Sequence, residues 1–509
     1  MSAMFNNLLT GTWQAARIVA ATVPVIRARD DEGAERARRH LAGVLGQLRG
    51  LPTKLGQWLS TGSDGEAFAS CNESLTPLPW SQMRAVLAES WGVDPDTRLA
   101  RIEPEGHAAS LGQVHRAWLH DGSCVAIKIR YPGIAGNIEA VLAALALVPG
   151  MGPARTYGLD LAGHRQMLRE TLERELDYVR EAATQQRAAA LAGPSVVVPS
   201  IHAAWCTESI LVQDWEVGET LAEASQWSQS ERNAAGSCLV RRFLRQLLRE
   251  HLLHADPHPG NLRLRRDSGQ VKLVQYDHGC MIELTAERVA ALHQLLLNLR
   301  RGSGGALDDL TAIGFDRSKL VHLEARLPQM LAVVFAPLMQ SGAHASANWH
   351  PAQELNALLG ADRWWFRAAG HPDLFLLTRA FGGLVRQLQH LCADVDWNAA
   401  WQEALDQPLP LLALRPAIGV VEPSPTTYLR VRVIADGDLL AEIEMPAAST
   451  EDLPDMLDPA VAEAIARLGI DLQALIEGCR LNHWRPCQLL DTPYRRQDGA
   501  LRHIKVWLA

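Results

Sequence analysis

None of the eight cysteines pairs as CxxC, and they recur at no regular interval. That excludes a disulfide-stapled scaffold and a zinc ribbon, and it suits reduced thiols in a cytosolic protein. Long apolar runs are missing as well. The most apolar stretches, LAALALVPGM (142–151) and MLAVVFAPLM (330–339), fall well short of the ~20 residues a spanning helix needs. No basic leader precedes an apolar stretch, so no secretory signal is read. TWQAARIVAATVPVI (12–26) reads as a packed terminal helix rather than one lying on a bilayer. A net charge of −8 with no long basic run argues against a general nucleic-acid binder. Internal repeats and low-complexity tracts are absent too. The expectation is a soluble, cytoplasmic protein whose membrane contact is at most peripheral.

What the chain does have is bulk. Its 509 residues, 48% of them hydrophobic, suffice for a large core and two or three domains. Residues 1 to about 100 read as a helical extension, with apolar spacing of three and four through ERARRHLAGVLGQLRGLPTKLGQWLS (35–60). Strands dominate 101–218. There HDG (120–122) marks a turn inside VHRAWLHDGSCVAIKIRY (114–131), hence a hairpin. HRQMLRETLERELDYVREAATQQRAAAL (164–191) reads as one long helix with Leu168, Leu172 and Leu176 on its buried stripe. VVVP (196–199) and SILVQDW (209–215) read as further strands. Residues 219–410 read as helical, apart from HADPHPGN (254–261) and the strand KLVQYD (272–277). The Pro-rich QPLPLLALRPAIGVVEPSP (407–425) reads as a linker. Residues 411–509 then form a small α+β domain, with a hairpin in TYLRVRVIADGDLLAEIEM (427–445), a helix near 459–478 and a last strand HIKVWL (503–508). In NHWRPC, residues His483, Trp484 and Cys487 read as a local turn rather than a metal site.

The chemistry begins at HADPHPGN. Its prolines and glycine hold Asp256 and Asn261 in one turned shape, though an ordinary loop would look the same. Lys128 ends the β-branched run VAIK and can point an ammonium into a cleft. Before it, the small residues of HAASLG (107–112) let backbone amides approach phosphate oxygens. The long helix offers Glu170, Glu173, Glu175, Asp177 and Glu181. At about 100° per residue, Asp177 and Glu181 share one face while Glu175 points elsewhere. A charged surface with pairs such as Glu170–Arg174 accounts for some of these acids. Asp277 ends the strand KLVQYD. Asp256, Asn261 and Asp277 make a hard oxygen-donor set suited to magnesium, with ATP phosphates supplying other ligands. Phosphoryl transfer needs positioning and charge neutralisation more than covalent help. Loop, lysine, helix acid, loop acid–amide and strand-end acid follow in the order of a kinase-like fold. The expected class is therefore α+β: a bilobal protein-kinase-like fold (lobes 101–218 and 219–410) between the helical extension and the small C-terminal domain.

The sequence resembles the UbiB family, also called AarF-domain or ADCK-type atypical kinases, from about residue 35 to residue 395. KLGQ (54–57) matches the family's KxGQ signature and AASLGQVHRA (108–117) its alanine-rich loop. VAIKIRYPGI (125–134), ELDYVREA (175–182) and HADPHPGN are close matches. The resemblance implies that Lys128 contacts nucleotide phosphates and pairs with Glu181, beside Ala108, Ala109 and Ser110 of the loop. It implies that Asp256 is the catalytic aspartate and that Asn261 and Asp277 bind Mg2+. It further implies that Lys54 and Gln57 reach into the cleft to meet Glu175, and that adenine rests against QDWEVG (213–218). The implied activity is ATP hydrolysis or phosphorylation of a small or lipid-linked partner, in support of ubiquinone or isoprenoid-lipid metabolism. Two readings stand beside it. One is a small-molecule phosphotransferase of the aminoglycoside or choline kinase type; the other is a non-catalytic nucleotide-binding scaffold that uses 411–509 to contact a protein partner. The chain departs from the family at His278, where DHG replaces DFG, and at His107, read as merely exposed.

Overall fold

The computed structural model describes residues 76–134, 156–302 and 305–406, most of 428–508, the helix Asp31–Gln47, and a few single positions before residue 55, Lys54 among them. The chain divides into two compact units, Met1–Leu409 and Pro410–Ala509.

In the first unit, helix α1 (Asp31–Gln47) buries Ala37, Leu41 and Leu45, spaced one turn apart. Leu41 and Leu45 share a core with Met83 and Leu87 of α2 (Trp80–Trp91) and with the inward residues of an antiparallel sheet. That sheet runs β1 (Leu99–Ile102), β3 (Gly112–Leu119), β4 (Cys124–Arg130), β6 (Ile210–Asp214), with β2 (His107–Ala108) paired to β3. The β3–β4 hairpin turns where expected. Asp121 accepts a bond from the Ser123 amide, and Gly122 takes the left-handed φ of +89° that this turn demands.

The single helix expected over 164–191 is two helices, α3 (Leu161–Glu175) and α4 (Tyr178–Leu191). Asp177 leaves helical geometry at φ −100° and caps α4 by accepting the Arg180 amide. Its short carboxylate offers the backbone an alternative to the helix bond. Arg130 donates to the freed Leu176 carbonyl. The break bends the chain between Glu175 and Glu181.

The helical lobe starts with α5 (Gln229–Arg245), fixed by a Ser228–Glu231 capping box. A wide turn at Gln246–Glu250 ends it at His251, φ +51°. Only KLVQYD was expected as strand in this lobe. The structure has β7 (Leu252–His254), β8 (Leu262–Asp267), β9 (Gln270–Gln275), β10 (Met281–Glu283) and a short β11–β12 pair (His344–Ala345, Asp394–Val395). β8 and β9 form a hairpin whose Ser268 and Gly269 both take positive φ. β5 (Val196–Val197) pairs in parallel with β9, so it belongs to this lobe's sheet and not to the first. Helices α6 (Ala286–Arg301), α7 (Pro372–Leu391) and α8 (Trp397–Asp406) contribute Leu295, Leu388 and Trp401 to the main core.

The second unit is a four-stranded antiparallel sheet ordered β14 (Asp438–Pro446), β13 (Tyr428–Ala435), β16 (Leu501–Leu508), β15 (Cys487–Arg495). The expected hairpin is β13–β14. The helix expected near 459–478 is two, Pro459–Arg467 and Leu472–Leu481. Cys487 opens strand β15, while His483 and Trp484 lie outside the described residues. Leu429, Val461, Ile465, Ile504 and Val506 form this unit's own core.

Candidate active site

Lys128 sits two residues before the end of β4, opposite Val114 and Leu211. Its ammonium bonds both Glu181 oxygens, at 2.9 and 3.0 Å, and the Asp277 carboxylate at 2.9 Å. It also lies over the buried Tyr178 ring, 4.9 Å from the centroid. Residues 128, 181 and 277, far apart in the chain, meet at one nitrogen. Burial opposes the charge on Lys128, yet Asp277 and Glu181 hold its pKa well above the usual lysine value. Burial pushes the Glu181 carboxyl up to about 7, against the pull of Lys128. Asp277 lies well below the carboxylate range; Lys128 and Lys54 outweigh its desolvation.

Asp277 is also set by its backbone. It adopts φ +46°, a conformation L residues rarely take outside turns and functional sites. His254 holds it there, donating through Nε2 to the Asp277 carbonyl at 2.7 Å. The Asn261 carbonyl accepts the Tyr276 amide at 2.8 Å, which seats Asn261 beside Asp277. The loop's own shape is fixed by His258, whose Nδ1 accepts the Gly260 amide, and by the bond from the Asn261 side chain to the Asp256 carbonyl at 3.5 Å.

A second constellation surrounds Asp256, which is 4% exposed. Lys54, from the segment before the first lobe, is 3% exposed and lies 2.8 Å from Asp256 Oδ2 and 2.7 Å from Glu175 Oε2. Arg379 of α7 takes Asp256 Oδ1 at 2.7 Å. Burial works against the Asp256 carboxylate, but Lys54 and Arg379 hold it well below the usual range. Burial pushes Glu175 upward, and its Oε1 is buried without a partner. Glu175 and Glu181 thus serve different lysines across the α3–α4 break. Their side chains nonetheless converge on Gly279, where a Cβ would lie 3.3 Å from Glu181 Oε2 and 3.5 Å from Glu175 Cγ.

Ala108, Ala109 and Ser110 are half-buried at the β2–β3 turn, and His107 is exposed. The Ala109 amide is spent inside the turn on the Gly112 carbonyl, so it is not a free donor for a phosphate. Gly112 itself cannot carry a side chain, since a Cβ would sit 2.4 Å from the Ile129 carbonyl oxygen. In QDWEVG, the Glu216 carbonyl accepts from Tyr276. Gln57 lies outside the described residues. Sequence reasoning missed Arg379 and the support from His254. A lone arginine among the apolar residues of LFLLTRAFGGLV was the available signal. It missed too that Gly383 on α7 lets the HADPHPGN loop pack close, since a Cβ there would fall 1.8 Å from Pro257 Cβ.

Residues 70–304 match the family of the ABC1 atypical kinase-like domain. Over that segment the chain is similar to the UbiB family of atypical kinases. Its architecture is the bilobal, α+β protein-kinase-like fold. Among the relatives is the mitochondrial atypical kinase COQ8B of Rattus norvegicus, 32% identical over 45% of this chain and 45% of that protein. The mitochondrial atypical kinase COQ8 of Schizosaccharomyces pombe is 28% identical over 52% and 46%. The chain spans about half the length of these curated relatives. A solved structure, the complex of Rv3197 with erythromycin from Mycobacterium tuberculosis, aligns with 74% of this chain and 97% of that one at 24% identity and TM-score 0.49. Among the described residues no helix is long and apolar enough to cross a membrane.

Proposed function

We propose that this UbiB domain binds ATP with Mg2+ and directs its γ-phosphoryl group to water or to a small or lipid-linked acceptor. The observation that carries the reading is the meeting of Lys128, Glu181 and Asp277 at one ammonium. Asp277 and Asn261 would supply a carboxylate and an amide oxygen, which fits magnesium, a cation that takes few protein ligands and completes its shell with phosphate and water. Bound there, Mg2+ would neutralise phosphate charge.

The protein's own groups do the rest. Lys128, held by Glu181, presents a fixed positive charge to phosphate oxygens. Asp256 is the base that would orient the acceptor hydroxyl. Lys54 and Arg379 each engage one of its oxygens and hold it ionised, so withdrawal of Lys54 would raise its affinity for a proton; the KLGQ segment, Lys54 with Gln57, is proposed as the gate. The proposed lobes are 101–218, apart from the strand Val196–Val197 that pairs with β9, and 219–410, with 411–509 a separate domain suited to a protein partner. The proposed role, in line with the family resemblance, is support of ubiquinone or isoprenoid-lipid metabolism, with a cytoplasmic, at most membrane-peripheral placement.

The test is ATP turnover by the wild type and by Asp256→Asn, with Mg-nucleotide binding measured in parallel. Turnover in the wild type, lost in the variant while binding persists, is expected. Absence of turnover in both, with binding intact, would favour a nucleotide-binding scaffold, the reading that the fully engaged Asp256 also fits.

A further inference from the structure

Glu181 borders a second space. A cavity of about 280 Å³ lies between α3, α4, β10 and the starts of α6 and α7, lined by neither Lys128 nor Asp277. That volume is just below the roughly 300–1,000 Å³ of small-molecule sites. Part of its wall is apolar: Met167, Leu252, Ile282 and Leu376, all buried.

Its polar groups are unevenly paired. Of four arginines around it, Arg187 pairs with Glu283 and Arg288 lies 3.8 Å from Asp373. Arg174 and Arg180 have no carboxylate partner among the described residues. Arg174 bonds only its own helix, the Glu170 carbonyl at 3.0 Å and Thr171 Oγ1 at 3.5 Å. Glu170, also at the rim, accepts from Gln166.

His278, the residue that makes DHG of DFG, lines the same cavity and is 1% exposed. Its Nδ1 lies 3.3 Å from Gln185 Oε1. The Gln185 amide nitrogen is committed to the Pro199 carbonyl and to Gln213, so the oxygen faces the imidazole. Nδ1 therefore carries the proton, and Nε2 is a lone-pair acceptor. That Nε2 is buried with no partner. A phenylalanine would leave no such acceptor.

We propose that this cavity binds a small amphiphilic anion. The apolar body of the ligand lies against Met167 and Leu376, its acidic group meets Arg174 and Arg180, and a hydroxyl or N–H donates to His278 Nε2. The site goes beyond the Mg-ATP reading and stands without it. Because Glu181 is shared, occupancy is placed to bias the Lys128–Glu181 pair.

Phenyllactate, with a ring, a carboxylate and a hydroxyl, is a suitable probe on the full chain. Titration without nucleotide, followed by ligand-observed NMR and calorimetry, should show one saturable millimolar site. Arg180→Ala, at an exposed position, should weaken it by about tenfold, as expected for losing one charge-assisted bond. Thr184→Trp, which fills the cavity, should abolish it, whereas Arg326→Ala, away from the cavity, should leave it unchanged. 3-Phenylpropionate, which lacks the hydroxyl, should bind more weakly. No saturable binding, an affinity indifferent to Arg180→Ala, or equal affinity for the two acids would each overturn the proposal and leave a water-filled space. Since no nucleotide is present, such a failure is distinct from failure of ATP binding.

Discussion

Replacing Lys54 by methionine removes the cation shared by Glu175 and Asp256. At 2.7 Å, the Lys54–Glu175 pair has a gross attraction of about 6 kcal/mol at an effective dielectric near 20. Burying both ions offsets most of it. Asp256 would keep Arg379, but Glu175 would keep nothing, since its Oε1 already has no partner. Breaking one side of such a buried pair costs about 3–5 kcal/mol. Glu175→Gln alone should cost about 1–3 kcal/mol, because Lys54 retains Asp256. In the double variant the buried charges at this contact are gone together, so its cost should fall short of the sum by about 2 kcal/mol. Equilibrium urea unfolding, with the denaturant slope unchanged among variants, measures this. Lys54→Met adds a signature in pH. The folded Glu175 carboxyl then sits above its unfolded value, so the folded state holds the proton more tightly. Stability should decline as pH rises from about 4.5. Costs that add within about 0.5 kcal/mol would refute the coupling.

Two further outcomes follow from the same site. Gly383→Ala would force α7 and Pro257 apart, at a cost of at least about 1–3 kcal/mol, and should reduce ATP turnover by shifting Asp256; an unaltered melting temperature and rate would contradict this. Glu181 titrates near 7 when folded and near 4.5 when unfolded, so it binds protons more tightly in the folded chain. The wild type should lose stability relative to Glu181→Gln between those pH values, and parallel urea midpoints across that window would show the assignment to be wrong.

Much of this was legible in the sequence because it is local. The hairpin that carries Lys128 follows from alternation and an HDG turn. The fixed loop of Asp256 and Asn261 follows from its prolines. Family motifs named Lys54, Glu175 and Asp277 before any contact was known. What escaped depends on tertiary context. A period of 3.6 runs unbroken through 164–191, so nothing in the spacing marks Asp177 as a cap; the break appears once Arg130 takes the Leu176 carbonyl. LRLRRD alternates too, but its charged residues hid a strand that β9 stabilises. Arg379 lies over a hundred residues from Asp256, and only helix packing brings them together.

The central claim is that Asp277 and Asn261 hold a divalent cation for a nucleotide that Lys128 grips. Calorimetric titration of the full chain with ATP, with and without Mg2+, tests it most directly when repeated on Asp277→Asn. Binding that needs Mg2+ in the wild type and loses that dependence in the variant is the predicted result. Equal ATP affinity with and without Mg2+ in the wild type, or an unchanged Mg2+ requirement in Asp277→Asn, would contradict it.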